Sequence, residues 1–144
     1  GETCFMEKTL VLIKPDAFAA HHVGDIIKIY EEKGFRIAAM KMLKMDRRLA
    51  SIHYAEHIGR PYYEDLSGFL TSGPIVAMVL MGDDVIHRVR ELHGKTNPAD
   101  AAEGTIRKLY ATSGRRNAVH ASDSPESAER EIHIFFNETE IYDE

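Results

Sequence analysis

The apolar positions of this chain fall into two periodicities, and their succession predicts the elements. Thr9 to Ile13 is a short β-rich apolar run halted at Lys14-Pro15, which predicts a buried strand stopped by a proline, with Lys14 at its C-terminal edge. Val23, Ile26, Ile27 and Tyr30 then recur at helical spacing, and Gly34 stands where a C-terminal cap belongs. Phe35 to Met45 alternates only partially, Phe35, Ile37 and Ala39 against Arg36, Ala38 and Met40, and reads as a second strand. Helical spacing returns at Leu49 to Ile58, is broken by Gly59 and Pro61, and resumes over Tyr63 to Leu70, which together predict a helical hairpin. After the turn Ser72-Gly73-Pro74, Ile75 to Met81 is apolar on both faces, the pattern of a central strand. Asp83 can cap the next helix, in which Val85, Val89 and Leu92 share a face and which ends at Gly94. Lys95 to Asn117 is a long irregular segment with one helical candidate at Thr105 to Tyr110, and such segments in compact domains usually carry function. Ala118 to His120 reads as a short strand, and Ser124-Pro125-Glu126 opens a last helix running to Phe136.

The order β-α-β-(αα)-β-α-loop-β-α separates the strands by helices but inserts a helical pair before the central strand. That predicts an α+β fold: a ferredoxin-like, split βαβ sandwich on an antiparallel four-stranded sheet with an inserted helical hairpin. No repeat, low-complexity tract or linker interrupts residues 1–144, so a single domain is expected, with residues 1–6 set aside as a flexible N-terminal segment.

Composition narrows the class. Among 144 residues, 44% are apolar and 28% charged, which excludes disordered, collagen-like and disulfide-scaffold chains. The longest apolar run, Ile75 to Met81, is far below the roughly 20 residues of a membrane-spanning helix. The N-terminus shows no secretory pattern, and Cys4 alone cannot form an internal disulfide, so a reducing cytoplasm is the expected location. A net charge of −5 argues against nucleic acid as the main partner. Charge is unevenly placed, however: Arg88 to Arg116 carries seven cations against three acids. This basic island suits a compact anionic ligand, with chance clustering in a solvated loop the competing explanation.

Within and just after that island stand groups that do phosphate chemistry. His120, in Asn117-Ala118-Val119-His120-Ala121-Ser122-Asp123-Ser124, can attack a phosphoryl group as a neutral imidazole if neighbouring guanidinium groups neutralise the charge. Lys14, Arg90, Thr96, Arg107 and Asn117 form a set of phosphate and hydroxyl partners, and neither a P-loop nor a G-x-G-x-x-G occurs, so side chains must hold any nucleotide. His53 and His57 have a spacing that can chelate zinc, although exposed helix residues are the plainer explanation. Tyr62 and Tyr63 can stack a base or pack between helices.

Six segments in order, Lys14-Pro15-Asp16, Arg60-Pro61-Tyr62-Tyr63, Thr71-Ser72-Gly73-Pro74, Thr96-Asn97-Pro98-Ala99-Asp100, Gly104-Thr105-Ile106-Arg107 and the His120 segment, resemble the nucleoside diphosphate kinase family from about Glu7 to Phe136. The resemblance implies transfer of a γ-phosphate from a nucleoside triphosphate to a nucleoside diphosphate through a phosphohistidine, in a ping-pong cycle with Mg2+ on the nucleotide and no protein-held metal. It makes His120 the nucleophile, Glu131 the acid orienting its ring and Ser122 an assisting hydroxyl, with Tyr54 beside the histidine. Lys14, Arg90, Thr96 and Arg107 match phosphate-contacting positions, and Lys14 and Asn117 also reach the ribose. Tyr62, with Leu66 close by, matches the aromatic that stacks the base, which implies broad base specificity because every base has a π face. A homo-oligomer, tetramer or hexamer, built through the Lys95 to Gly104 loop is implied as well, and the short C-terminal tail leans toward the bacterial type.

Three departures accompany the resemblance. The family's common glycines are Ala17 and Ala121 here, which removes easy access to positive φ. In the stretch from Lys108 to Arg116 the usual Gly-Asp-Phe is Lys108-Leu109-Tyr110, and the apolar residue packing the base's second face becomes Gly114, which predicts weaker base packing. Two other classes compete with the enzyme: a non-catalytic nucleotide-binding assembly module, which degraded catalytic residues would mark, and a phosphocarrier passing phosphate to a protein, which needs no nucleoside cradle.

Overall fold

A computed structural model describes residues 6–144; of the N-terminal segment set aside above, residues 1–5, with Cys4, lie outside the described residues. Strands β1 (Glu7–Ile13), β2 (Arg36–Lys44), β3 (Pro74–Gly82) and β4 (Val119–Ala121) form one sheet in the order β2-β3-β1-β4, with every neighbouring pair antiparallel. This is the ferredoxin-like sheet anticipated from the element order. Helices α1 (Pro15–Ala19), α2 (Val23–Glu32), α3 (Arg47–His53), α4 (Tyr63–Leu70), α5 (Val85–His93), α6 (Ile106–Tyr110) and α7 (Pro125–Phe135) connect and cover it.

Why the central strands are apolar on both sides follows from the layers. In β1, Val11 and Ile13 point into one core with Val76, Met78 and Leu80 of β3, capped by Ile26 and Tyr30 of α2 and Val85 and Val89 of α5. Leu10 and Leu12 point the other way, with Ile75, Ala77 and Val79, under Ala50 of α3, Leu70 of α4 and Ile132 and Phe135 of α7. The inserted hairpin and the last helix thus cover the second face of the sheet. Each fully buried aliphatic side chain contributes roughly 1.5–3 kcal/mol.

Local chemistry sets the boundaries and corrects several expectations. Partial alternation in β2 arises from a bulge, since Ile37 pairs with Leu80 and Ala39 with Val79, leaving Ala38 as the extra residue. Pro15 does more than stop β1: it occupies the first position of α1, a helix the sequence reading does not contain. The helix expected to Ile58 ends at His53 and continues only as a 3-10 turn over Ala55–His57, with Asp46 capping its start through Leu49 N–H at 2.7 Å. Asp83 does not cap α5. Asp84 holds the cap position in a left-handed conformation, φ 52°, without a side-chain bond, and the carboxylate of Glu7 from β1 accepts the Ile86 N–H at 2.9 Å instead. The last strand begins at Val119 because Ala118 is left-handed, with φ 72°. Neither Ala17, in α1, nor Ala121, in β4, takes positive φ, so these two departures introduce no backbone strain.

Candidate active site

The chain reaches β4 through a tight turn. Val119 N–H donates back to the Asn117 carbonyl at 2.8 Å across left-handed Ala118, the pattern of a γ-turn, which costs about 1–3 kcal/mol in a non-glycine residue. Two contacts from the junction of β1 and α1 hold it: Asp16 accepts the Ala118 N–H at 3.0 Å, and Lys14 N–H donates to the Ala118 carbonyl at 2.8 Å. Asp16 in the Lys14-Pro15-Asp16 motif therefore serves the backbone beside His120.

In β4, Val119 and Ala121 enter the α2/α5 core, so strand alternation turns His120 to the opposite face. There Glu131 of α7 waits, buried, with Oε1 2.8 Å from His120 Nε2. Ser122 Oγ donates to the same oxygen at 2.9 Å and accepts the Leu10 N–H at 3.3 Å, which ties the carboxylate to β1. An ionised carboxylate only accepts, so a neutral His120 carries its proton on Nε2 and its lone pair on Nδ1. Nδ1 has no protein hydrogen-bond partner among the described residues.

His53 forms a wall of this site. Its ring stands edge-on to His120 with centroids 4.9 Å apart, and both of its nitrogens are buried without partners. Burial, reinforced by His120, Lys14 and Arg130, pushes its pKa down to about 2, so it stays neutral. The pairing of His53 with His57 as a zinc chelate does not form: His53 ends α3, His57 lies in the following 3-10 turn, and no group of three His, Cys, Asp or Glu suited to a metal occurs among the described residues. The alternative of two exposed helix residues fails too, because His53 is buried. Tyr54 packs edge-on to His53 at 4.4 Å, and burial pushes its phenol pKa up.

Cations gather opposite His120. Lys14 Nζ, buried, donates to Asn117 Oδ1 at 2.8 Å, and its pKa falls to about 8, chiefly through burial and then through Arg107. Arg107 is locked by three backbone carbonyls, Gly94 at 2.8 Å, Val119 at 2.9 Å and Asn117 at 3.3 Å. It stands on α6, which Thr105 caps, and Thr105 packs so closely on Gly94 that a Cβ there would lie 2.7 Å from its hydroxyl. Gly94, at φ 84°, is thus required by both conformation and space.

These groups enclose a cavity of about 270 Å³ lined by Tyr54, Arg90, Thr96, Arg107, Asn117, His120 and Glu131, seven of the residues singled out in the sequence. Lys14 reaches it through Asn117, and Ser122 through Glu131. Tyr62 and Leu66 do not line it. Tyr62 is exposed, its hydroxyl 2.5 Å from Nδ1 of His57, which does line the cavity, and Leu66 packs on the α3/α4/α7 core. Sequence reasoning weighed His53 only as a zinc ligand or an exposed helix residue and gave no site role to Glu56, Asp123, Ser127 or Arg130, which line the cavity with it; the adjacency of His53 to Tyr54 is the one signal that could have placed His53 in the site.

The model of the family described as nucleoside diphosphate kinase matches residues 7–141. The chain belongs to the nucleoside diphosphate kinase family. It is 54% identical over 136 residues to a nucleoside diphosphate kinase of Listeria welshimeri, covering 94% of this chain and 92% of that protein. With the same-named protein of Methanocaldococcus jannaschii it shares 52% over 137 residues, 95% and 98% of the two chains. Among solved structures, the Aquifex aeolicus nucleoside diphosphate kinase superposes with a TM-score of 0.93 at 42% identity, over 95% of this chain and 99% of that one. That of Halobacterium salinarum in complex with CDP gives 0.94 at 41%, over 97% and 93%. As a nucleoside diphosphate kinase, the chain is an ATP:nucleoside-diphosphate phosphotransferase.

Proposed function

We propose that His120 Nδ1 carries the phosphoryl group between two nucleotides. In the first half-reaction Nδ1 uses its lone pair to bond the γ-phosphorus, the bond from phosphorus to the bridging oxygen breaks, and the nucleoside diphosphate leaves with that electron pair. In the second half-reaction an oxygen of another diphosphate's terminal phosphate attacks the phosphohistidine and returns the pair to Nδ1. Glu131 holds the Nε2 proton and stabilises the positive ring throughout. Lys14, Arg90 and Arg107 neutralise the charge on the transferring oxygens, with Thr96 as a further donor, and Lys14 and Asn117 take the ribose. Tyr54 fixes the ring wall beside His53, and Tyr62 with Leu66 stacks the base. The observation that carries this reading is a histidine whose far nitrogen is tied to a buried carboxylate while its near nitrogen stands unpartnered beside a cavity that Arg90, Arg107 and Arg130 line.

The donor set fits Mg2+ arriving on the nucleotide. Asp123 lines the cavity, and hydrogen bonds from Ser127 and Ser124 depress its pKa, so it is an anion positioned to face a phosphate-bound cation. Mg2+ would neutralise charge on the phosphates. A cytoplasmic homo-oligomer, tetramer or hexamer, completes the reading: the 95–104 loop is largely exposed, and Met40 and Met42 of edge strand β2 are 53% and 67% exposed. No helix among the described residues is long and apolar enough to cross a membrane.

The test is incubation with ATP labelled at the γ-phosphate, followed by a GDP chase, for the wild type and His120→Ala. Acid-labile, base-stable label that requires His120 and moves to GTP is expected. Label that stays on the protein indicates a phosphocarrier, and nucleotide binding without label indicates a binding module.

A further inference from the structure

The turn that precedes His120 carries a cation that neither the phosphate set nor the stacking platform uses. Thr112 and Ser113 N–H both donate to the Arg116 carbonyl, at 2.9 and 3.2 Å, and Arg116 N–H donates to Ser113 Oγ at 2.9 Å. Gly114 and Arg115 therefore form the tip. Asn117 Nδ2 anchors that tip through the Gly114 carbonyl at 3.1 Å. Across from it runs α4, the helix that follows Tyr62 and contains Leu66. Two contacts lay the tip on this helix: Arg115 Nε is 3.6 Å from Asp65 Oδ2, and the Arg116 guanidinium is 5.5 Å from the Phe69 ring centroid. Arg115 Nη1, by contrast, is buried and has no hydrogen-bond partner. The position of a Cβ on Gly114 has nothing within 4 Å, so the tip offers open space where a side-chain wall would stand.

We infer that Arg115 reads the nucleobase, donating from its guanidinium to a carbonyl oxygen of the base and biasing the enzyme toward guanosine diphosphate within a broad range. This rests on the proposed seating of the nucleoside between α4 and the 112–117 turn. A desolvated N–H without a partner gains most from a ligand acceptor. Guanine presents O6 and N7 side by side, matching the guanidinium fork, whereas adenine sets an amino donor beside N7 and opposes one N–H with another. Phosphate is the poorer occupant, because the Asp65 carboxylate shares this end while Lys14, Arg90 and Arg107 serve the His120 end. Burial sets the direction for both Lys14, lowered, and Tyr54, raised, and the Arg115 charge makes a small contribution at each, which places it within electrostatic range of the cleft.

Calorimetric binding of GDP, IDP and ADP to the intact chain, and to Arg115→Ala and Arg115→Lys, tests this without requiring turnover. Hypoxanthine keeps O6 and N7, so IDP should track GDP. The expected result is GDP and IDP about tenfold tighter than ADP in the wild type, a gap within about twofold in Arg115→Ala with ADP nearly unmoved, and partial retention in Arg115→Lys. Equal affinities in the wild type, or a gap that survives Arg115→Ala, overturns the inference. A uniform loss for all three nucleotides overturns it in favour of a phosphate contact. Loss of phosphohistidine formation with these binding ratios intact would instead count against the kinase reading and leave the assignment of Arg115 standing.

Discussion

The two ends of the cleft are built differently. At the His120 end the reacting histidine and the groups nearest it are committed: Glu131 holds His120 and Ser122, Asn117 holds Lys14, and three carbonyls hold Arg107. These groups stand on or beside β1, β4, α6 and α7, backed by both cores. At the nucleoside end Tyr62 is exposed, Gly114 opens into space and Arg115 keeps a buried donor unsatisfied, all on a short helix and a turn. Groups that must meet a developing charge in one geometry are thus held by bonds at or against the sheet. Groups that must accommodate different bases sit on connecting segments, where change is tolerated.

Replacing a group at the fixed end should sharpen this contrast most. Glu131→Ala frees the tautomer of His120 and should lower kcat about a hundredfold while leaving the nucleotide KM within a few-fold, as measured by steady-state kinetics. A loss expressed in KM instead would break the contrast.

A second effect concerns pH. His53 has a pKa of about 2 in the folded chain against an ordinary 6.5, and burial lowers that of His93 as well. Below pH 6.5 the unfolded chain takes up protons at both positions and the folded chain does not, so stability falls with pH. Between pH 6.5 and 5 His53 alone should remove about 1.5 kcal/mol, read as the difference in that loss between urea unfolding of the wild type and of His53→Gln, with His93 acting in the same direction in both. Lys14 sets the other limb: its ammonium is lost as pH rises through about 8, so kcat/KM should decline above that value.

The smallest effect belongs to the exposed end. His57→Phe removes the bond to the Tyr62 hydroxyl, and it should raise the diphosphate KM only a few-fold with kcat retained. A large fall in kcat would show that the ring contacts running from Tyr62 through His57, Tyr54 and His53 to His120 do more than support stacking.

What was legible in the sequence was whatever a local pattern determines. β3 announced its central place by being apolar on both faces, and Ser124 and Gly34 marked real helix ends. What was not legible depended on contacts distant in sequence. The Glu7 carboxylate replaced Asp83 at the start of α5 because β1 begins beside that helix, and a single bulged residue, Ala38, spoiled the alternation of β2. At the site, the six motifs supplied His120, Lys14 and Arg107. They did not supply the neutral wall His53 or the service of Asp16 to Ala118, since both follow from where the chain folds back.

The central claim is that Glu131 fixes the His120 proton on Nε2 and leaves Nδ1 to react. Phosphorus and nitrogen NMR of the ATP-phosphorylated chain, labelled with 15N in its histidines, tests it directly. Phosphorus–nitrogen coupling to Nδ1 of His120 is the predicted result. Coupling to Nε2, or phosphate on another residue, would contradict it.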